Sequence, residues 1–512
     1  MLKSKLAIAL PAALLLLAGC SSSDTRFQPV ESPEVENRFA LAELWSSATG
    51  GVSDFFSELE AAFDERNVYT ASRNGDVMAF TQSNGDRLWE VDLSNEAENQ
   101  DKRSARLSGG VAINGSKLAI GSENGYIYVL NSADGSIAWK HYLEAEVVAR
   151  PTFNASGSKL FVLDSRGNFS AFDTLSGELL WVTGDAPQAL RLRAQANPLA
   201  VGDEYVLVGT SSGRVNVLLQ SNGATVNQIT VGEAIGANAL ERVADVSTSP
   251  LLLGNMLYAA SFSGSLVEYD FGTFNYAARL GYQSSRDFGF DENSLVLTSD
   301  DGTVYCINRS DNSQRWANTQ LSYRNVTGPV VYGNYAVVGD YEGYVYFLDM
   351  QDGSIDYKES LDSSGYYVEG QVKNGNLYLL ARDGTLSCLR YEAQGQNSTA
   401  AQVESTNEAL LASAGQGLTL NHPGVYDGGI YAPSSMSQEQ LEARRAAIRR
   451  AVAQQEAQIA AQRRAAAEAA KARAEYEARV KAYEEERRKQ VSGFGIAPGV
   501  RAAMDDEPEG QK

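Results

Sequence analysis

The chain has 512 residues, 43% of them apolar, so a sizeable folded core is expected and disorder of the whole chain is excluded. Its 64 acidic and 43 basic residues give a formal net charge of −21, which repels phosphate backbones and excludes nucleic acid as a natural partner. Abundant Gly (46), Tyr (25) and Phe (17) favour β-structure with many turns, whereas two His and three Cys leave little for a metal site or a disulfide framework.

The chain begins with the pattern of a secretory leader. Lys3 and Lys5 precede an apolar run of 13 residues, Leu6 to Ala18, which is too short for a comfortable membrane span. The run ends in Leu-Ala-Gly-Cys at 17–20. This ending resembles the bacterial lipobox, in which the cysteine receives a diacylglycerol and the leader is cut just before it.

We therefore predict a signal peptide over 1–19, lipidation at Cys20 and a polar tether over 20–38. The alternative is an ordinary signal peptide with an unmodified cysteine. Ser21 follows the cysteine, where Asp would favour the inner membrane by resemblance to enterobacterial sorting. The expected location is thus the outer membrane, facing the periplasm.

One pattern recurs eight times in the middle of the chain. Each copy has an apolar strand, a polar turn with Gly, an alternating strand, and often a second Gly ten residues later with Trp four residues beyond it. The first copy, VYTASRNGDVMAFTQSNGDRLW, carries Gly75, Gly85 and Trp89 at these places. The first glycines recur about every 44 residues, at 75, 125, 167, 213, 264, 302, 343 and 384. A unit of this length holds four strands, which predicts an all-β, eight-bladed β-propeller with four-stranded blades over 39–392.

The eighth copy stops near Arg390, without a final strand or Trp. The segment Phe39–Ser46 contains Trp45, the one Trp outside the copies. We therefore predict that this segment completes the eighth blade and closes the ring, because an unclosed ring would leave an open edge. The alternative is a loose arm over 39–60. The repeated Trp positions are expected to pack between successive blades.

The repeat pattern resembles that of the quinoprotein-alcohol-dehydrogenase-like propellers. Together with the lipobox and the eight copies, it resembles the BamB family of outer-membrane protein assembly lipoproteins. The resemblance implies a non-enzymatic scaffold that binds the barrel assembly protein BamA, helps to insert outer-membrane proteins and contacts their unfolded chains. The chain beyond 392 is outside the resemblance.

Two stretches resemble the family's partner-binding loops. One is Ala-Leu-Arg-Leu-Arg, which places Leu190, Arg191, Leu192 and Arg193 at the partner surface. The other is ERVADVSTSP at 241–250, where Asp245 takes one of two acidic places and Ser247 stands at the second. The residue types alone also suit an interface, since arginine and apolar anchors dominate such contacts. The alternative is that both leucines pack into the fourth blade.

An active quinoprotein dehydrogenase should carry an adjacent Cys-Cys pair, calcium-binding carboxylates and a catalytic Asp. No cysteines are adjacent here, and Cys306 and Cys388 hold equivalent places in copies six and eight, which predicts two separate buried thiols. His141 and His422 belong to no nucleophilic motif. The sequence therefore predicts no catalytic residue, metal or cofactor. The rival functions are a quinoprotein-like dehydrogenase and a generic periplasmic peptide- or polysaccharide-binding propeller.

The C-terminal extension has three parts by composition. Residues 393–435, rich in Gln, Asn, Ser, Thr, Ala and Gly, are predicted to be a disordered linker. Residues 436–490 lack Gly and Pro and predict a long charged helix, with SQEQ at 437–440 as a capping box. Residues 491–512 are predicted to be a disordered tail. The helix is either a solvated single helix or a coiled-coil or envelope contact, for example to peptidoglycan or an acidic partner.

Overall fold

The computed structural model describes residues 27–52, 57–97, 105–184, 188, 190–235, 237–239, 241–262 and 264–421. Within these ranges the chain forms 33 β-strands and one α-helix. The predicted signal peptide, Cys20, the helix over 436–490 and the tail over 491–512 lie outside the described residues, so those predictions stay predictions.

The strands form eight sheets, taken here as blades 1 to 8 in chain order. Blade 1 contains β3 (Ala62–Phe63), β4 (Asn67–Ala71), β5 (Asp76–Thr81) and β6 (Arg87–Asp92). Blade 2 contains β7 (Leu107–Asn114), β8 (Lys117–Ser122), β9 (Tyr126–Asn131) and β10 (Ile137–Tyr142), with β2 (Glu58–Leu59) added parallel to β7. Blade 3 contains β11 (Thr152–Phe153), β12 (Lys159–Leu163), β13 (Asn168–Asp173) and β14 (Leu179–Gly184). Blade 4 contains β15 (Leu199–Val201), β16 (Tyr205–Gly209), β17 (Arg214–Leu219) and β18 (Thr225–Thr230).

The second half repeats this order. Blade 5 contains β19 (Leu251–Leu253), β20 (Met256–Ala260), β21 (Leu266–Asp270) and β22 (Asn275–Leu280). Blade 6 contains β23 (Gly289–Phe290), β24 (Ser294–Thr298), β25 (Val304–Asn308) and β26 (Gln314–Asn318). Blade 7 contains β27 (Val330–Tyr332), β28 (Tyr335–Gly339), β29 (Tyr344–Asp349) and β30 (Ile355–Ser360). Blade 8 contains β31 (Gln371–Lys373), β32 (Asn376–Leu380), β33 (Thr385–Tyr391) and, from the N-terminus, β1 (Leu41–Ala48). The predicted eight four-stranded blades are confirmed.

Burial explains the sequence pattern of a blade. In blade 1 the second and third strands, β4 and β5, are buried along almost their whole length, whereas the fourth strand, β6, is largely exposed. The two middle strands lie between neighbouring blades and are covered on both faces, so they are continuously apolar. The outer strand faces solvent on one side and alternates.

The ring closes as predicted. Strand β1 pairs antiparallel with β33 over the full length of both, and Trp45 lies opposite Cys388. The alternative of a loose arm is therefore excluded for residues 41–48. Phe39 extends the closure, because its ring stacks on Tyr357 of blade 7 with centroids 4.8 Å apart and meets Tyr391 at 5.3 Å. Chain ends distant in sequence thus share one sheet.

The Trp and Gly positions of the repeat form one joint between blades, as expected. The Trp45 indole N–H donates to the Gln82 carbonyl of the next blade at 2.9 Å, and its ring covers Gly85. A Cβ on Gly85 would lie 2.5 Å from that ring, and the φ of +70° also favours glycine. The same joint recurs in four further pairs: Trp89 with Gly135, Trp139 with Gly177, Trp181 with Gly223 and Trp316 with Gly353.

The junction between blades 4 and 5 lacks this joint. Asn227 stands opposite Val217 where blades 1, 2, 3, 6 and 8 carry Trp, and Phe274, with a φ of 55°, takes the glycine place. Leu420, from beyond the repeats, is fully buried in the cluster at this junction, and Phe274 packs against the same cluster. The Asn227 side-chain N–H₂ lies 3.4 Å from the Leu420 carbonyl that accepts its hydrogen bond. A segment from the C-terminal extension therefore occupies the space that a Trp side chain fills at other junctions.

The prediction of a disordered linker is wrong for residues 393–421. Helix α1 (Gln394–Ala412) occupies the first part, and we call 393–421 the C-terminal strap. Ala400 is fully buried, and Val403 and Leu410 pack onto the clusters of blades 6 and 7 and of blades 5 and 6. Composition misled here because few apolar residues suffice when tertiary contacts, rather than propensity, stabilise a helix.

Polar contacts fix the strap to the turns beneath it. The Glu404 carboxylate accepts the backbone N–H of Asn374 at 2.8 Å and of Gly375 at 2.6 Å. Further along, the Gly415 N–H donates to the Gly254 carbonyl at 2.8 Å. These turns each join the first and second strands of a blade, in blades 8 and 5. The strap therefore crosses successive blades on one side of the ring.

The tether prediction also needs correction, for residues 27–38. The Val30 N–H donates to the Ser322 carbonyl at 3.1 Å, and Arg38 pairs with Asp356 at 3.0 Å. Phe27 meets Tyr323 edge to face with centroids 5.7 Å apart. This stretch follows blade 7 because its backbone and side-chain donors find fixed partners there, which a polar composition does not reveal.

Antiparallel blades give the ring two distinct faces. The turn face carries the hairpin turns between first and second and between third and fourth strands. The loop face carries the turns between second and third strands and the connections between blades. The strap lies on the turn face, whereas Val30 contacts the blade 6–7 connection on the loop face.

Candidate partner-docking surface

Two neighbouring connections on the loop face contain the residues predicted to bind a partner. One joins β14 to β15 over 185–198, and the other joins β18 to β19 over 231–250. We call them the docking loops. The structure brings Leu190–Arg193 of the first close to Asp245 of the second.

Asp245 holds the first loop from below. Its Oδ1 accepts the Leu192 backbone N–H at 3.1 Å, and the side chain is only 5% exposed. Burial raises the pKa of Asp245 to about 6, although the Leu192 N–H and the charge of Arg191 act in the opposite direction. The resemblance to a partner-binding loop implied a place for Asp245 at the partner surface. The structure places it beneath the loop instead, where it positions Leu192.

Arg193 forms ion pairs with residues of the propeller and does not project freely into solvent. Its guanidinium pairs with Glu123 at 2.6 Å and with Glu146 at 3.3 Å. Glu123 also pairs with Arg73 at 2.7 Å, so the network links blades 1 and 2 to the docking loop. The Arg193 side chain remains 42% exposed, which leaves one side of it available to a partner.

The leucines behave differently from one another. Leu190 is 45% exposed, so the alternative that it packs into blade 4 does not hold. Leu192 is half-buried and lines a cleft between blades 3 and 4, together with Arg191 and Asp245. The second loop adds Ile235, which is 72% exposed and was missed. An isolated apolar residue between Ala234 and Gly236 is a weak signal in sequence.

The described cysteine and histidine side chains considered above as reactive groups are packed within the structure. Cys306 and Cys388 are fully buried thiols in separate blades, as predicted. His141 packs edge to face on Phe172, and burial lowers its pKa. In the ranges that the structure describes, no group of three or more His, Cys, Asp or Glu side chains could hold a metal. None of the described helices combines the length and apolar character that a membrane span needs.

Fold and surface together define the class of protein: an eight-bladed propeller of quinoprotein-type repeats with apolar side chains exposed on one face. A family model described as outer membrane protein assembly factor BamB matches residues 73–318 and 277–395. The chain belongs to the BamB family of outer membrane protein assembly factors.

Individual relatives agree. The chain is 31% identical to outer membrane protein assembly factor BamB of Escherichia coli, over 72% of this chain and 95% of the relative. It is 33% identical to the Vibrio cholerae BamB, over 73% of this chain and 95% of the relative. The relatives are named as assembly factors, so the chain is a scaffold and not an enzyme.

Solved structures give the same result. The crystal structure of BamB from Moraxella catarrhalis superposes with a TM-score of 0.62 at 26% identity, covering 69% of this chain and all of that one. A quinohemoprotein alcohol dehydrogenase from Pseudomonas putida superposes with a TM-score of 0.51 at 11% identity, which shows the shared fold alone.

Proposed function

We propose that this chain is a lipid-anchored, periplasm-facing scaffold that holds the barrel assembly protein BamA through its docking loops. It thereby aids the insertion of outer-membrane proteins, and its exposed strand edges offer a surface to their unfolded chains. Membership of the assembly-factor family supports this role. The observation that carries it is the docking surface itself, in which Leu190 is exposed next to the cleft residues Arg191 and Leu192, and Ile235 is exposed on the second docking loop.

Pre-organisation strengthens the argument. The buried Asp245 and the ion pairs of Arg193 fix the first docking loop in the unbound protein. A loop that is already ordered loses less conformational entropy when a partner binds. Exposed apolar side chains on such a loop are suited to serve as anchors at the centre of an interface.

The anchor is Cys20 in this proposal. Acyl chains on that cysteine would contribute about 0.8 kcal/mol for each buried CH₂, which is ample for stable attachment when several chains are present. Cys20→Ser should abolish incorporation of radiolabelled palmitate and release the protein from the membrane fraction. Retention of label in the variant would contradict lipidation at this position.

The docking loops are tested by capture of purified BamA from the same organism. Replacing an exposed leucine by aspartate removes about 1.5–3 kcal/mol of apolar burial, so Leu190→Asp should weaken capture at least tenfold. Ile235→Asp should act in the same direction. The control is Leu175→Asp, because Leu175 is 80% exposed on the turn face of blade 3 and undergoes the same chemical change.

The three variants separate the outcomes. Loss of capture in Leu190→Asp and Ile235→Asp, with Leu175→Asp unchanged, is the expected result. Equal capture by all three would refute the role of the docking loops. Failure of the unmodified protein to capture BamA would refute the partner and favour a generic peptide- or polysaccharide-binding propeller.

A further inference from the structure

A second cavity lies on the loop face at the centre of the ring, and we call it the axial cavity. Segments that lead into the innermost strands of blades 1, 4, 5, 6 and 8 converge there, because these strands surround the axis. The polar side chains that matter for its chemistry are Glu58, Glu60, Gln195, Ser247, Asp287 and Glu369. No motif in the sequence groups these residues, and the docking function does not use them directly.

Three of the residues that line this cavity carry an oxygen atom without a hydrogen-bond donor in the described part of the chain. Ser247 is 5% exposed, and its Oγ has no hydrogen-bond partner among the described residues. The same holds for Glu58 Oε2 and Gln195 Oε1. Buried polar atoms in native proteins are almost always paired, so three oxygens without a protein partner at one place are able to accept hydrogen bonds from an occupant with N–H donors.

The charges around the cavity also favour a cation. Four carboxylates line it, of Glu58, Glu60, Asp287 and Glu369, and the facing guanidinium groups are those of Arg150 and Arg286. Arg150 is engaged with Glu60 at 2.9 Å. When all four carboxylates are ionised, they outnumber the two guanidinium groups, although burial raises the pKa of Glu58 well above its usual value.

Two of these carboxylates also fix the docking loops. Glu58 Oε1 accepts the Gln195 backbone N–H at 3.2 Å, and Asp287 Oδ1 accepts the Ser249 N–H at 2.6 Å. The axial cavity therefore lies next to the loops proposed to hold a partner. An occupant carried by a docked protein would enter from that side.

The spacing of the acceptor oxygens indicates which kind of cation the cavity suits. A divalent metal needs carboxylate oxygens that converge to about 2.0–2.6 Å from one point, and the described residues contain no such cluster. A guanidinium group instead presents five N–H donors in a plane and bridges acceptors that are set apart. Its weaker hydration also makes its burial easier than that of an ammonium group.

We propose that the axial cavity binds a guanidinium cation, with Glu58, Glu369, Ser247 and Gln195 as its acceptors. The site does not depend on the identity of the docking partner. It would take either the side chain of an arginine in a docked protein or a small guanidinium compound.

Binding is measured by titration calorimetry of the full-length protein with N-acetyl-arginine amide, whose only charge is the guanidinium. N-acetyl-citrulline amide is the matched neutral compound and should not bind. Glu58→Gln and Glu369→Gln should each weaken binding at least tenfold. Glu58→Gln retains an acceptor for the Gln195 N–H. Glu178→Gln, an exposed acid on the turn face, is the control and should bind as the unmodified protein does.

The pH dependence gives an independent readout. Burial raises the pKa of Glu369 to about 7, with Asp287 and Glu60 adding to the rise and Arg286 opposing it. Below this pKa the carboxyl is neutral and attracts a cation poorly. Affinity should therefore increase about tenfold from pH 6 to pH 8, with release of a proton on binding. Burial also raises the pKa values of Glu58, Glu60 and Asp287, so Glu369→Gln should weaken this dependence without abolishing it.

The melting temperature of each variant is measured alongside its binding. A loss of binding can then be distinguished from a loss of folding. No heat from N-acetyl-arginine amide up to 20 mM, or equal binding by all three variants, would overturn it. The source of the group follows from BamA capture in the presence of the compound. Reduced capture assigns the site to an arginine of the partner, and unchanged capture assigns it to a small compound. Capture without the compound tests the docking loops separately.

Discussion

The strap should contribute measurably to the stability of the ring, and Leu420→Ala tests this. Leu420 is fully buried at the junction of blades 4 and 5, the junction where Asn227 replaces Trp. Truncating a buried leucine to alanine typically costs about 2–5 kcal/mol, because apolar burial is lost and a cavity remains. Phe274 and Phe271 line the same cluster and are too large to close that cavity by a small shift.

The expected shift in melting temperature follows from size. At about 2.1 cal/mol/K per residue, the roughly 380 described residues give an unfolding entropy near 0.8 kcal/mol/K. A loss of about 3 kcal/mol should therefore lower the midpoint by about 4 °C. Differential scanning calorimetry at one protein concentration, together with urea unfolding, measures both quantities.

The control is Leu411→Ala, since Leu411 is an exposed leucine near the end of helix α1. Its midpoint should move by less than 1 °C. If Leu420→Ala shifts the midpoint no more than Leu411→Ala does, the strap is not a structural part of the junction. A shift in urea m-value without a change in midpoint would indicate a changed unfolded state instead.

Three further outcomes are expected. Trp45→Ala should destabilise the ring by about 3–5 kcal/mol in urea unfolding, because the indole joins chain ends distant in sequence; a loss below 1 kcal/mol would contradict its role in closure. Burial raises the folded-state pKa of Asp245 to about 6, above its unfolded value near 4, so its ionisation makes the protein less stable as pH rises from 4 to 6. Asp245→Asn should flatten that decline, and an unchanged pH profile would refute the assignment. Cys306 and Cys388, whose pKa values burial raises to about 11, should resist maleimide labelling until the protein unfolds; rapid labelling of the native protein would contradict this.

Much of the fold could be predicted because the same packing pattern recurs along the sequence. The faces of neighbouring blades must be buried where they meet, and several junctions achieve this by packing Trp of one blade on Gly of the next, as with Trp89 and Gly135. Trp45 predicted the closing strand for the same reason, since it stands outside the repeats yet has the residue type that a junction needs.

The strap could not be predicted in this way. Its composition is that of a linker, and its stability depends on partners distant in sequence, such as Glu404 with the turn at Asn374. The missing Trp at Asn227 was visible in the sequence, but nothing there identified Leu420 as its replacement. The axial cavity is similar, since Glu58 and Glu369 lie more than three hundred residues apart and share no motif.

The residues predicted to bind a partner lie close together as expected, but one of them differs in burial, and their binding role stays a prediction. Leu190 and Arg193 are exposed as a binding surface requires, whereas Asp245 is buried and acts through the backbone of Leu192. A charged residue in a loop is expected at the surface. The hydrogen bond from the Leu192 N–H offsets part of the desolvation of the Asp245 carboxylate, although the pKa of Asp245 remains raised.

The two faces of the ring have separate tasks in the proposed function. The chain leaves Phe27 beside the blade 6–7 connection on the loop face, the face that also carries the docking loops. Phe27 lies seven positions after Cys20, and a fully extended chain over seven steps spans at most about 25 Å. A lipid on Cys20 would therefore keep this edge of the loop face close to the bilayer. A membrane-embedded partner can then reach the docking loops without crossing the ring, and the turn face is left to the strap.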